Sequence, residues 1–108
     1  MNVGIDLIQI DRFKKIPYSK NESFYKKNFS NEEIKYCLKF SEPYKHFAGK
    51  FAIKEATIKS IEKKIRLVDI ITFYENEKPS VKISAEDFNF KVSVSHDGDY
   101  VVAIVILE

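Results

Sequence analysis

The chain has 108 residues, 18 Lys and Arg against 16 Asp and Glu for a net charge of +2, and a composition that is 44% hydrophobic and 31% charged. Two separate cores would leave each half too small to fold comfortably, so residues 1–108 are expected to form one globular domain rather than a disordered chain. The near balance of charge excludes a polycation that holds nucleic acid by bulk attraction, no apolar run approaches the ~20 residues of a membrane span, and a single cysteine with an acidic Met1–Asp6 start points to a reducing compartment, the cytoplasm.

Val3–Ile10 is a short, mostly apolar, β-branched run and reads as a buried strand. Asp11–Pro17 is a short helix or turn that Pro17 ends. Asn21–Phe29 is a weak helix, and the next begins at Ser30, which has Glu33 at the capping-box spacing and runs through Ile34, Cys37 and Leu38 to near Pro43. From Tyr44 to about Lys63 apolar residues recur at 44, 47, 48, 51, 52, 58 and 61, the period of a long helix. Strands follow at Leu67–Tyr74, Ser80–Ser84, Phe90–Ser95 and Tyr100–Leu107, with a turn at Glu75–Pro79 and a hairpin signal at Asp97-Gly98-Asp99. Strand, helices, then a run of strands predicts an α+β fold: a mainly antiparallel sheet packed on one long helix plus shorter helices.

The informative residues break these patterns. On a wheel of 100° per residue with Tyr44 at the origin, Glu55 falls at about 20°, between Phe51 and Ala48, while Lys54 at about 280° and Lys59 at about 60° flank the apolar stripe. A buried carboxylate is costly unless it is paired or coordinates a cation. Two readings stand: a helix-edge Glu55 paired with Lys59 at i+4, or a functional group. Asp6 interrupts an apolar strand in the same way, either capping an early strand end or serving a site. His96 ends a strand on the face of Val92 and Val94, as a structural residue or a functional one. Asp6 and Glu55 on rigid elements would suit a hard cation such as Mg²⁺, which takes one or two carboxylates and completes its shell with water and phosphate, and nearby lysines would suit phosphate oxygens. Cys37 sits at a helical core position as an inert thiol, and His46 reads as a surface residue. Arg12 to Lys27 carries six basic residues against one acid, either a solvated face or a dock for an acidic partner.

Three ordered segments carry a resemblance. Gly4-Ile5-Asp6-Leu7-Ile8 with Ile10-Asp11-Arg12-Phe13, then Phe47-Ala48-Gly49-Lys50-Phe51-Ala52-Ile53-Lys54-Glu55-Ala56, then Val92-Ser93-Val94-Ser95-His96 with Tyr100-Val101-Val102-Ala103, resemble the signatures of the holo-[acyl-carrier-protein] synthases, small members of the 4′-phosphopantetheinyl transferase superfamily. Asn76-Glu77-Lys78-Pro79 resembles that family's turn before its next strand. The resemblance implies transfer of the 4′-phosphopantetheine arm of coenzyme A to a serine of an acyl carrier protein, with release of 3′,5′-ADP. It implies Asp6 and Glu55 as Mg²⁺ ligands and Lys59 as the acid that protonates the departing phosphate. A water or hydroxide beside the metal and a carboxylate would accept the serine proton. Lys50, Lys54 and His96 would contact coenzyme A phosphates. Arg12, with Lys15 beside it in the basic stretch, would touch the acidic carrier. A homotrimer with active sites between subunits is also implied.

The chain departs from the family where Arg is usual and Lys50 stands, and Glu62–Leu67 has no glycine where the family has a Gly-rich turn. An alternative is therefore a catalytically impaired relative that only binds an acidic carrier protein. A small RNA-binding domain, prompted by Lys interleaved with Phe and Tyr over residues 12–47, is disfavoured by the near-neutral charge.

Overall fold

The computed structural model describes all residues from Met1 to Glu108. The elements are β1 (Asn2–Gln9), α1 (Asp11–Lys14), α2 (Glu22–Asn28), α3 (Asn31–Leu38), α4 (Pro43–Ile61), β2 (Ile70–Glu75), β3 (Lys78–Ile83), β4 (Phe90–Asp97) and β5 (Tyr100–Leu107), with single 3-10 turns at Tyr18–Lys20 and Leu67–Asp69. The expected strand at Leu67 therefore starts three residues later, because that turn comes first. The α+β class is as expected, but the antiparallel strands form two sheets: β1-β5-β4 and the hairpin β2-β3.

Local chemistry explains several boundaries. The capping box at α3 is complete: Glu33 N–H donates to Ser30 Oγ at 3.2 Å, and Ser30 N–H donates to Glu33 Oε1 at 2.8 Å. Pro43 opens α4 at a position where a missing N–H costs nothing. Glu62 closes it in the left-handed conformation at φ 55°, where glycine is usual. Asn76 and Glu77, both at positive φ, make the two-residue turn between β2 and β3, so Lys78 and Pro79 already belong to the strand. Asp97 pairs with Tyr100 around Gly98.

The core is rich in phenylalanine, with Phe13, Phe29, Phe47 and Phe51 buried together with Tyr25. Phe13 meets Phe51 edge-on at 5.4 Å, and Tyr25 meets Phe47 at 4.7 Å. Two expectations change here. First, α4 is not a one-sided amphipathic helix. β1 and β5 cover one side, while α3 and β2 cover another, so Lys50, Lys54, Thr57 and Ser60 are buried with the apolar residues. Second, β1 is buried on one face only. Gly4 and Ile8 face α4, but Val3, Ile5 and Leu7 are 60%, 57% and 62% exposed. Their partners across the ladder are Ile106, Ile104 and Val102, so one apolar sheet face stands uncovered.

Candidate active site

Gly4 brings β1 onto α4. A Cβ built there would lie 1.9 Å from Ala56 O and 2.8 Å from Ser60 N, so only glycine lets the two backbones approach this closely. That contact carries Asp6, two residues on and on the same face, to Glu55 and Lys59. Lys59 Nζ donates to Ile5 O at 2.9 Å and to Asp6 Oδ1 at 3.2 Å. Of the two readings of Glu55, the i+4 pair with Lys59 is not formed; Lys59 turns to β1 instead. Asp6 Oδ2 is buried with no hydrogen-bond partner. Burial first, and the Asp6 carboxylate second, push the Glu55 carboxyl above its ordinary range, against the opposing charges of Lys59 and Arg12. Arg12, at the start of α1, lies over the Phe51 ring at 5.8 Å, on the same side of α4.

The two carboxylates thus share one field. An orphaned buried oxygen beside a second, strained carboxylate is a donor set for a hard cation. No third Asp, Glu, His or Cys joins them, so the protein could supply two carboxylates and leave the remaining positions to water and substrate oxygens, which fits Mg²⁺.

A second cluster lies roughly 140° around α4 from Glu55, on the helix face of Lys50. A cavity of about 230 Å³ is lined by Lys45, His46, Gly49, Lys50, Tyr74 and His96 among others, and by no Asp or Glu. His96 sits over the glycine: its Nε2 is 4.0 Å from where a Gly49 Cβ would be. Burial and the neighbouring Lys45 lower both histidines below their ordinary value. Two lysines and two protonatable histidines, with no acid in the lining, give this cavity a basic character suited to an anion.

Lys54 requires a correction. It was expected to contact a phosphate, yet it is wholly buried and its ammonium is fully used. Nζ donates to Glu33 Oε1 at 2.6 Å, to Asn28 O at 2.9 Å and to Leu67 O at 2.8 Å. Lys54 is a three-way pin between α2, α3 and the turn before β2 and has no donor left for a ligand. Lys50 is buried too, but it reaches the cavity wall. His46 was expected on the surface; it is half-buried, stacked on Phe40 at 3.8 Å, and lines the same cavity. Its spacing of four from Lys50 was the available signal. Cys37 is buried and free, and burial pushes its thiol up to about 12, so it is inert as expected. Arg12, Lys14, Lys15, Lys20, Lys26 and Lys27 are all exposed.

The sequence profile of the 4′-phosphopantetheinyl transferase superfamily matches residues 2–105. The holo-[acyl-carrier-protein] synthase of Thermodesulfovibrio yellowstonii is 36% identical over 108 residues, covering 97% of this chain and 96% of that protein. That of Chlamydia trachomatis is 34% identical over 116 residues, covering 98% of each. Among solved structures, the Helicobacter pylori holo-[acyl-carrier-protein] synthase in complex with coenzyme A superposes with a TM-score of 0.84 at 27% identity, over 98% of this chain and 99% of that one. The Bacillus anthracis enzyme in complex with CoA (3′,5′-ADP) gives 0.84 at 26%, over 98% and 94%. Full-length agreement of sequence and fold places this chain in the 4′-phosphopantetheinyl transferase superfamily, as a member of its holo-[acyl-carrier-protein] synthase family.

Proposed function

We propose that residues 1–108 act as one catalytic domain that transfers the 4′-phosphopantetheine group of coenzyme A to a serine hydroxyl of an acyl carrier protein, dependent on Mg²⁺ and releasing 3′,5′-ADP. The observation that carries this reading is the unpartnered, buried Asp6 Oδ2 beside Glu55 and Lys59. Asp6 and Glu55 would hold the metal. When bound, Mg²⁺ supplies positive charge to the pyrophosphate oxygens, where negative charge builds up.

The chain's own groups supply the rest. The serine hydroxyl gives its proton to a water beside the carboxylate pair, its oxygen forms a bond to the β-phosphorus as the bridging P–O bond breaks, and 3′,5′-ADP leaves with that electron pair. Lys59, more than half exposed and held by Ile5 O and Asp6 Oδ1, would protonate the leaving phosphate. Lys50 and His96, joined by Lys45 and His46, would bind the coenzyme A phosphates. The exposed basic face that begins at Arg12 and Lys15 would dock an acidic carrier, steering it by charge.

The metal pair and the anion cavity lie on different faces of α4. A second copy bringing its cavity to this carboxylate pair would complete the site. The uncovered face of Val3, Ile5 and Leu7 supports such an assembly, a homotrimer built on these sheets. A reducing compartment such as the cytoplasm suits the free, buried Cys37.

The direct test is to incubate the protein with coenzyme A, Mg²⁺ and an apo acyl carrier protein and weigh the carrier intact. A phosphopantetheine adduct that needs Mg²⁺ is the expected result. Carrier binding without an adduct would instead favour the impaired, binding-only reading.

A further inference from the structure

Lys50 is buried, carries no carboxylate partner of its own, and forms part of the wall of the basic cavity. What holds it is a relay. Lys50 Nζ donates to Thr72 Oγ1 at 3.0 Å and to Thr72 O at 3.5 Å, and Thr72 Oγ1 donates to Glu33 Oε2 at 2.6 Å. Thr72 N–H donates to the same carboxylate oxygen at 2.8 Å, while Glu33 Oε1 takes Ser30 N–H and Lys54 Nζ. A hydroxyl has one proton to give. Because Thr72 gives it to Glu33, its lone pairs face Lys50 and can only accept. The rings of Tyr36 and Tyr74 lie 4.8 Å and 5.4 Å from the ammonium.

We propose that Thr72 and Glu33 are positioning residues for coenzyme A binding: they fix Lys50 as a charged donor in the cavity wall, with its remaining N–H free for a phosphate oxygen. This rests on the assignment of that cavity to coenzyme A. Three observations favour a relay over plain packing. The hydroxyl's direction is imposed by a buried carboxylate, the ammonium it serves lacks any other side-chain acceptor, and the cavity beyond holds no acid. Burial lowers Lys50 from its ordinary value, against the opposing influence of Cys37 and Glu33, and the lone pairs of Thr72 Oγ1 give the charged form a hydrogen-bond acceptor that links it to the Glu33 carboxylate. The groups around it are Glu33, Tyr36 and Cys37 from α3 and Tyr74 from β2, with His46 and Lys54 from α4 and His96 from β4. Glu32, Lys35 and Lys39 line a neighbouring cavity that Lys50 also borders, and of the two carboxylates only Glu33 acts on its charge.

The test pairs Thr72→Val with Thr72→Ser. In the ligand-free protein, NMR titration of the Lys50 ε-carbon should show a lower midpoint in Thr72→Val and a restored one in Thr72→Ser. Calorimetry should show coenzyme A binding weakened about tenfold by Thr72→Val, the scale for one hydrogen bond to a charged group, with affinity failing at lower pH than in the wild type. Against Lys50→Met, the added Thr72→Val change should have no further effect, because the two act through one interaction. An unchanged Lys50 midpoint in Thr72→Val overturns the relay, as does an equal loss of affinity in the Lys50→Met background. A lowered midpoint in Thr72→Val, together with a wild-type protein that binds no coenzyme A, would leave the relay standing and overturn the assignment of the cavity.

Discussion

Lys59 bridges the last turn of α4 to Asp6 on β1, its Nζ 3.2 Å from Oδ1, and leaves the buried Oδ2 of the same carboxylate without a partner. Lys59 therefore neutralises only one edge of Asp6, and the other edge faces the field of Glu55. Asp6→Asn and Glu55→Gln should each lower transfer activity at least about 100-fold, the scale on which one electrostatic stabiliser of a transition state acts. Stability should move the other way. A carboxyl raised in the fold stabilises most below its unfolded value, and this contribution is lost as pH rises through the folded value. Near neutral pH without divalent ions, Glu55→Gln should melt higher than wild type, and Mg²⁺ should raise the melting temperature of the wild type alone. A lower melting temperature for Glu55→Gln would show that Glu55 is not under this strain.

Gly4 is needed for close approach, not for a turn. Its missing side chain would meet backbone atoms of α4, which cannot rotate away. Gly4→Ala should destabilise by about 2–3 kcal/mol and move Asp6 off the helix. Urea unfolding and Mg²⁺-dependent thermal shift check the two parts; a variant with wild-type stability and Mg²⁺ response would mean that β1 can slide at no cost.

Lys54 pins the fold. Removing it leaves Glu33 buried without its cation, which costs about 3–5 kcal/mol. Lys54→Met should lower the denaturant midpoint accordingly, while the fraction that remains folded at low temperature keeps the wild-type KM for coenzyme A. A large rise in KM in folded protein would return Lys54 to the phosphate site.

His46 and His96 are lowered by burial first and by Lys45 next, from an ordinary value of 6.5. The fold holds them neutral, so their contribution to stability is present above 6.5 and is lost as pH falls. A polyanion favours the charged form. Coenzyme A binding should take up protons and tighten as pH drops below neutrality, read by calorimetry in buffers of different ionisation enthalpy. Replacing both histidines with glutamine should flatten that dependence; an unchanged pH profile would remove them from the cavity's function.

Ile5 pairs with Ile104 on the uncovered sheet face. On the assembly proposed above, Ile5→Asp should leave monomers in sedimentation velocity and abolish transfer, because the basic cavity of the neighbour would be lost. Full activity in a monomeric variant would show that one copy suffices.

Much of this protein is written in short-range patterns. The capping box at Ser30 and Glu33, the helix that carries Glu55, the hairpin at Gly98 and the misfit of Asp6 among apolar residues each depend on neighbours within a few positions, and they are visible without coordinates. The order of strands and helices likewise sufficed for the α+β class. The contacts of Lys54, Lys59 and His46 were decided elsewhere. Whether a lysine on α4 meets water or a carboxylate depends on α3 and β2 closing over that side of the helix, and the choice of Asp6 over Glu55 by Lys59 depends on how closely Gly4 lets β1 approach. Periodicity records which residues share a face, but burial and pairing come from contacts between segments far apart along the chain, and these exist only once it has folded.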